Sequence, residues 1–173
     1  MSLGIVRRFS IIKRFITRFY YSALISKNAK SCGKDLRVNA PSYITRSTIL
    51  GDNVNFNGMM INGGGPVFIG DNFHSGVDCL MITQIHNYDH GEAIPYDASY
   101  ILKEITIEDN VWLGSRVTII GNVTIGEGAI IQAGAVVVND IPKYAIAGGN
   151  PAKVFKHRDI EHYESLKRQG KFM

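Results

Sequence analysis

The chain has 173 residues, of which 45% are hydrophobic and 20% charged, a balance typical of a single folded domain. The net charge of +4 is concentrated at the two ends, and no nucleic-acid-binding motif accompanies it. No apolar run reaches the ~20 residues that span a bilayer, and two isolated cysteines predict a reducing cytoplasm rather than a disulfide-linked secreted protein.

The N-terminal segment, residues 1–30, contains seven Lys or Arg and no acid. Between residues 4 and 25, apolar side chains recur at helical spacing with basic residues between them, which predicts an amphipathic helix. Its apolar side has two possible partners. It packs on the body or a neighbouring subunit, or it touches anionic lipid as a peripheral contact at the inner face of the membrane.

Repeats of six residues begin near Val38 and continue through Phe56, and they slip by one position after the glycines at 63–65. They are absent from residues 87–104, which predicts a loop extruded from a domain covering 31–158. The tail, residues 159–173, is predicted to contain a short helix from Asp159 to Arg168. A stack of repeats exposes apolar residues at both ends, so the two terminal helices are the expected caps.

The repeat is most regular between Ile107 and Val137, where every sixth residue is a branched aliphatic. Each of these residues is followed, four positions later, by a second apolar residue. A period of six fits neither an isolated helix nor a strand meander. It fits a triangular prism in which each hexad forms one flat face and one corner, and three hexads close a coil of about eighteen residues. The predicted class is therefore all-β, a parallel β-helix.

Three stretches resemble the hexapeptide-repeat acyltransferases, in particular the galactoside, maltose and polysaccharide O-acetyltransferase group. They read IGDNFHSGVDCLMITQIHNYDHG, IEDNVWLGSRVTIIGNVTIGEGAIIQAGAVVVNDIP and AIAGGNPAKVFKHR. The resemblance covers residues 36–158 and implies a left-handed β-helix. It also implies acetyl-CoA as the acyl donor, a sugar or polysaccharide precursor as the acceptor, and a homotrimer with active sites between subunits. It implies no metal.

The resemblance also assigns roles to particular residues. His86 lies seventeen residues after the Ile of IGDN, where the family carries its general base, and Asn55 corresponds to an amide of the acceptor site. The backbone amide of Ser115 is expected to face the thioester oxygen. The positions implied to border coenzyme A are Trp112, Ser115, Ala133, Gly134, Lys153 and Lys156.

The chemistry of these residues suits acyl transfer. A sugar hydroxyl needs a base to remove its proton during attack, and histidine has the appropriate pKa. The tetrahedral oxyanion needs a preorganised N–H donor. Because the sequence offers no nucleophilic serine or cysteine motif, direct transfer within a ternary complex is the expected mechanism.

Other functions remain open at this stage. The acceptor could instead be an antibiotic or another small xenobiotic, or an amino sugar acetylated on nitrogen. A second hypothesis is a zinc hydratase of the γ-carbonic anhydrase type on the same prism, because zinc binds imidazole and the chain offers His74, His86 and His90. The basic N-terminal helix raises a non-catalytic scaffold. Within the acyltransferase hypothesis, His90 has no assigned role and His74 is expected to be structural.

Overall fold

The computed structural model describes residues 3–173, with side chains described from Lys13 onward. Its elements in chain order are α1 (Leu3–Asn28), β1 (Ser31–Cys32), β2 (Arg37–Val38), β3 (Thr48–Leu50), β4 (Asn55–Asn62), β5 (Val67–Ile69), β6 (His74–Ile82), β7 (Gln84–His86), β8 (Tyr100–Leu102), β9 (Ile105–Ile107), β10 (Trp112–Leu113), β11 (Thr118–Ile120), β12 (Val123–Ile125), β13 (Ile130–Ile131), β14 (Val136–Val137), β15 (Ala145–Gly148), β16 (Lys153–His157) and α2 (Ile160–Arg168).

The strands wind into a left-handed parallel β-helix of about six turns, which confirms the predicted fold class. The first face of the prism contains β1, β3, β5, β9 and β12. Strands β4 and β6 are long enough to bend around a corner. Their first residues belong to the second face, which also contains β2, β10, β13 and β15. Their last residues form the third face with β11 and β14.

The pairing register measures the length of each coil. Residues stacked in successive coils are 18 apart where Ile105 lies beside Val123. They are 19 apart where Thr48 pairs with Val67, because the glycine-rich segment adds one residue. They are 38 apart where Leu80 pairs with Thr118. The 20 additional residues belong to the extruded segment, and the coils before and after it still pair with each other.

One hydrophobic core runs along the axis of the prism. The twelve inward positions predicted from the regular repeat are all buried, with exposed fractions of 0–4%: Ile107, Val111, Leu113, Val117, Ile119, Val123, Ile125, Ala129, Ile131, Ala135, Val137 and Ile141. Burying one large aliphatic side chain contributes about 1.5–3 kcal/mol, so stacking the coils supplies most of the stability.

The corner between the first and second faces is built from Asp and Asn. Asn53, Asn72 and Asn110 have φ of 54–60°, the left-handed conformation that asparagine tolerates better than most residues. The Nδ2 of Asn53 donates to Asn72 and that of Asn72 to Asn110, at 2.9 and 3.0 Å. Beside this ladder, the N–H of Asp71 donates to Asp109 Oδ1 at 2.8 Å. Corner side chains therefore satisfy the backbone groups that strands leave unpaired.

The extruded loop leaves the prism at the corner between the third and first faces, and its base is more ordered than the sequence predicts. Strands β7 and β8 form an antiparallel pair in which His86 lies opposite Tyr100. Residues 84–102 form an arm that projects from the prism. At the base of the arm, the N–H of Lys103 donates to Thr83 O at 2.8 Å, and the chain then rejoins the first face.

The last turns of helix α1 pack on the first coil, whereas helix α2 and the tail lie along the second face and do not form the predicted C-terminal cap. The predicted N-terminal helix is present as α1 and is longer than residues 4–25. Helix α2 begins after Asp159, whose carboxylate caps it by accepting the N–H of His162 at 3.0 Å. Among the described residues, Glu127 holds α2 to the prism because its carboxylate accepts hydrogen bonds from Lys167 and Tyr163.

Candidate active site

His86 is held between two aromatic rings at the base of the arm. Its imidazole stacks on Tyr96, with ring centroids 3.6 Å apart and an interplanar angle of 19°, and it contacts Tyr100 at 4.6 Å. Its Nδ1 atom is buried without a hydrogen-bond partner among the described residues. A buried polar nitrogen without a partner is costly in a finished structure, so this atom marks a place where a ligand or a second chain can supply the partner.

The tip of the arm is fixed by the Asp97 carboxylate. It accepts the N–H of Glu92 and the N–H of Ser99, both at 2.8 Å, together with the Ser99 hydroxyl. The Ser99 hydroxyl bond, followed by these two backbone bonds, lowers the pKa of Asp97 to about 2, so the carboxylate is ionised at neutral pH. This clip lies next to Tyr96 in the chain and so orders the segment that carries the ring stacked on His86.

Ser115 occupies the corner between the second and third faces, and its backbone N–H has no acceptor among the described residues. In the coil below, the N–H of Val77 donates to Ser115 Oγ at 3.3 Å. The residue stacked on Ser115 in the next coil is Ala133, which has only a methyl group to offer. The Ser115 amide is consequently left free, as an oxyanion donor must be.

Glycine at position 76, in the coil below, lets its backbone pass close to this amide. A Cβ built on Gly76 would lie 2.4 Å from the Ser115 nitrogen. Gly134 continues the same corner: its φ is 75°, its N–H donates to Ser115 O at 2.9 Å, and a Cβ built there meets nothing within 4 Å. The corner thus exposes a strip of backbone at Ser115, Ala133 and Gly134.

Asn55 and Trp112 lie on the second face, in one outward row with His74 between them. The register pairs Asn55 with His74 and His74 with Trp112. The Oδ1 of Asn55 accepts a hydrogen bond from Asn39 at 2.9 Å, while Trp112 is 51% exposed. Burial lowers the pKa of His74, and its Nε2 is buried without a hydrogen-bond partner among the described residues.

Lys153 and Lys156 lie on β16, which pairs antiparallel with β15 at the C-terminal end of the prism. Both side chains are exposed. Lys153 lies opposite Gly148 and Lys156 opposite Ile146, in the coils that follow the exposed strip of backbone. They therefore present two cations near that end of the second face.

The structure brings some of the predicted site residues together and keeps others apart. Ser115, Ala133 and Gly134 share one edge, and Trp112 lies on the face that leads to it. His86 belongs to the opposite edge, because the third face separates the Ser115 corner from the corner where the arm leaves. Tyr96 and Tyr100 were not anticipated as site residues; their only signal is a concentration of tyrosines in a polar loop.

One cavity of the described residues lies away from His86. It has a volume of about 450 Å³ and lies between helix α2 and the second face, with Trp112, His74 and Phe172 among its lining residues. Its Trp112 wall is shared with the predicted coenzyme cleft, but no residue of the arm lines it. The cavity therefore does not contain the proposed base.

Two further findings bear on the alternatives. Within the described residues, no group of three or more His, Cys, Asp or Glu is arranged to hold a metal ion, so His74, His86 and His90 do not converge in one chain. His90 is exposed, and its backbone N–H donates to Asn87 Oδ1 at 3.3 Å. In the same part of the chain, no helix is both long and apolar enough to cross a membrane.

The chain is similar in sequence and in structure to known acetyltransferases with hexapeptide repeats. Residues 104–139 match the family model described as bacterial transferase hexapeptide (six repeats). The chain is 35% identical over 138 residues to the Saccharomyces cerevisiae protein named "Putative acetyltransferase YJL218W", an alignment that covers 78% of this chain and 69% of the yeast protein.

Solved structures agree with this. A galactoside acetyltransferase in complex with coenzyme A superposes with a TM-score of 0.71 at 31% identity, covering 81% of this chain and 71% of that one. A maltose O-acetyltransferase from Clostridium difficile superposes with a TM-score of 0.61 at 28% identity, covering 76% and 68%. In both cases the similarity extends over most of the prism.

Proposed function

Because the chain belongs to the hexapeptide-repeat acyltransferases, we propose that it transfers an acetyl group from acetyl-CoA to a sugar hydroxyl, with His86 as the general base. The observation that carries the proposal is the placement of His86 between Tyr96 and Tyr100, with one buried ring nitrogen left without a partner. The two tyrosines fix the plane of the imidazole, and a fixed ring is what directed proton transfer requires.

The Ser115 amide supplies the second part of the reaction. As the acceptor oxygen attacks the thioester carbonyl, negative charge collects on the carbonyl oxygen, and a preorganised N–H stabilises it. The proton removed by His86 then passes to the leaving thiolate, so that free coenzyme A and the acetyl ester are produced. Removing one such N–H donor typically costs about 3 kcal/mol in the barrier.

The coenzyme is proposed to lie along the exposed backbone at Ala133 and Gly134, beside Trp112. Lys153 and Lys156 would meet its phosphates as point charges, since lysine lacks the two-pronged geometry of arginine. Asn55 is proposed to contact the acceptor. The acetyl-CoA donor is supported by the galactoside enzyme, which was solved with coenzyme A.

The active site is proposed to form between two copies of the chain in a homotrimer. His86 and the Ser115 corner lie at different edges of one prism, so a single chain cannot place both against one thioester. Packing prisms side by side brings the arm of one copy to the exposed corner of the next, and cyclic symmetry repeats the same contact at each interface.

The acceptor is proposed to be a cell-envelope or capsular polysaccharide or its precursor, acetylated in the cytoplasm. The sugar class is supported by the galactoside and maltose enzymes that share the fold. A coenzyme-release assay over a panel of saccharides, lipid-linked sugars and amino sugars identifies the acceptor. Turnover confined to amino sugars would replace ester formation by amide formation at the same site.

The test of the base is His86→Ala, assayed for acetyl transfer to the best acceptor of that panel. We expect turnover to fall by about 100-fold or more, as for the loss of a general base, with the affinity for acetyl-CoA unchanged. His162→Ala removes an exposed histidine on α2 and serves as the matched control. If His86→Ala keeps more than a small fraction of wild-type turnover, His86 is not the base.

A further inference from the structure

Among the side chains of α1 that the structure describes, from Lys13 onward, those of the last turns pack on the prism. Ile25 is 1% exposed, Tyr21 packs against the core, and Ser22 Oγ accepts the N–H of Val38 at 3.0 Å. Ile25 lies four positions after Tyr21 and three after Ser22, so the three residues share one side of the helix. The contact with the body therefore uses one side of the described turns of α1 and leaves the rest of their surface open. Phe15 and Phe19 lie at the edge of the contact, where they line a cavity of about 230 Å³ with Ser22 and Leu36.

The open side carries large apolar side chains. Phe15, Ile16, Phe19 and Tyr20 are 59–72% exposed, and together they are called the apolar stripe. Phe15 and Phe19 are four residues apart, as are Ile16 and Tyr20, so each pair stacks along the helix. Four adjacent side chains of this size left in water are far from the single exposed apolar residues that are normal on a surface.

The stripe lies in a strongly basic segment. Lys13 and Arg14 are exposed beside it, and the first thirty residues of the sequence contain seven Lys or Arg and no Asp or Glu. Pairing the stripes of two copies would bring these like charges together, which costs energy at short range. An anionic surface instead gains about 1 kcal/mol for each Lys or Arg that approaches it.

We infer that the apolar stripe of α1 binds an anionic phospholipid surface. Aromatic side chains such as Phe15, Phe19 and Tyr20 favour the level of the lipid headgroups, and flanking cations meet the phosphates. A helix of 26 residues is about 39 Å long and would lie along the surface with its stripe inserted. The prism would then work next to the bilayer, where lipid-linked saccharides are found.

This surface is separate from the arm and from the Ser115 corner, so the inference goes beyond the proposed reaction and does not depend on it. The full chain is mixed with sedimenting vesicles of phosphatidylcholine, either alone or mixed with phosphatidylglycerol. We expect binding to the phosphatidylglycerol vesicles, weakening as salt is raised because the attraction is electrostatic. Binding to neither kind of vesicle, or equal binding to both, overturns the inference.

Two variants locate the contact. Phe19→Ser and Phe15→Ser each remove one aromatic ring from the stripe and are expected to weaken vesicle binding by about tenfold, in keeping with the loss of one buried aromatic side chain. Phe155→Ser is the matched control, because this phenylalanine is 60% exposed on β16 and lies outside the stripe. Equal losses in all three variants contradict the assignment.

Light scattering on the same variants tests the other occupant. If the stripe instead joins copies of this chain, Phe19→Ser lowers the oligomeric state. Vesicle binding is then either not seen at all or not changed by the substitution, and both results overturn the lipid assignment. If the assignment is right, Phe19→Ser keeps the oligomeric state of the wild-type chain. Circular dichroism shows whether each variant retains its helices, and Phe15→Ser replaces Phe19→Ser if only one of them folds.

Discussion

At the scale of single residues, the absence of an atom at Ala133 is as informative as any side chain present. At the same corner one coil earlier, a backbone N–H is satisfied by Ser115 Oγ. Ala133 offers no such oxygen, so the Ser115 amide stays available to substrate. The sequence shows an ordinary small residue at position 133, and only the stacking of coils shows which amide that residue leaves free.

Ala133→Ser is expected to lower acetyl transfer by about tenfold or more without lowering thermal stability. The new hydroxyl would accept the Ser115 N–H and compete with the oxyanion for it, so the loss falls on kcat more than on KM for acetyl-CoA. Steady-state kinetics and a melting curve check both parts. Ala133→Gly adds no acceptor and should keep most of the activity. Unchanged kcat in Ala133→Ser would remove the Ser115 amide from the proposed mechanism.

Gly65 lies where the arm leaves the prism, and its backbone passes close to two other segments. A Cβ built there would lie 2.0 Å from Lys103 O and 2.6 Å from Thr83 O, which are backbone atoms that cannot turn away. Gly65→Ala is therefore expected to destabilise the chain by about 1–3 kcal/mol, measured by urea unfolding. In the matched variant Gly64→Ala the new methyl meets flexible side chains at 3.2–3.3 Å, so it should cost much less.

At the scale of secondary-structure elements, the sequence predicts what repeats and misses what does not. The pattern within each hexad predicts its inward residues without reference to the other hexads. All twelve core positions predicted in this way for the regular run are buried. The β7–β8 pair could not be predicted, because it joins residues about sixteen positions apart through strands of three residues. The stacking of Tyr96 on His86 depends on that pairing and was hidden for the same reason.

The Glu127 carboxylate is one of the groups that attach helix α2 to the prism, beside the hydrogen bond from Tyr144 to Glu164. Burial by itself would raise the pKa of Glu127, but hydrogen bonds from Lys167, Lys143 and Tyr163 outweigh it and lower the pKa to about 2. The Glu127 side chain is 13% exposed, so solvent screens this group less than an ordinary surface pair. The docking of α2 therefore depends on an ionised Glu127.

Because the folded pKa of Glu127 lies below its ordinary value of 4.5, its stabilisation is complete above about pH 5 and is lost as pH falls towards 2. Glu127→Gln should lower stability at pH 7 by about 1 kcal/mol or somewhat more and should show a flatter decline between pH 5 and 2. Urea unfolding across that range measures both effects. Glu92→Gln changes an exposed carboxylate and should follow the wild-type curve; the same curve for Glu127→Gln would refute the linkage.

At the scale of the whole molecule, one chain carries the parts of a site on separate edges. His86 belongs to the edge with the arm, and Trp112 leads to the edge with the Ser115 amide. Repeat spacing alone does not predict this division, because it gives the face of each residue but not the neighbour that completes the site; the family resemblance implied sites between subunits. The proposed trimer accounts for it by closing each site with two chains.

Mixing two inactive variants tests that division. His86→Ala lacks the base and Trp112→Ala lacks part of the coenzyme wall, so each alone should have little activity. If each site combines the arm of one copy with the corner of another, trimers refolded from a mixture contain some intact sites, and activity should return to a measurable fraction of the wild-type value. Refolding each variant alone is the control. A mixture no more active than its components would place the complete site within one chain.

The register across the arm has a practical consequence. Leu80 and Thr118 pair as neighbours although they are 38 positions apart, so the coils before and after the arm stack directly on each other. The arm is thus a cassette that evolution or an engineer can lengthen, shorten or exchange at little risk to folding. Grafting arms from other acetyltransferases between Thr83 and Lys103 offers a direct route to new acceptor preferences on an unchanged scaffold.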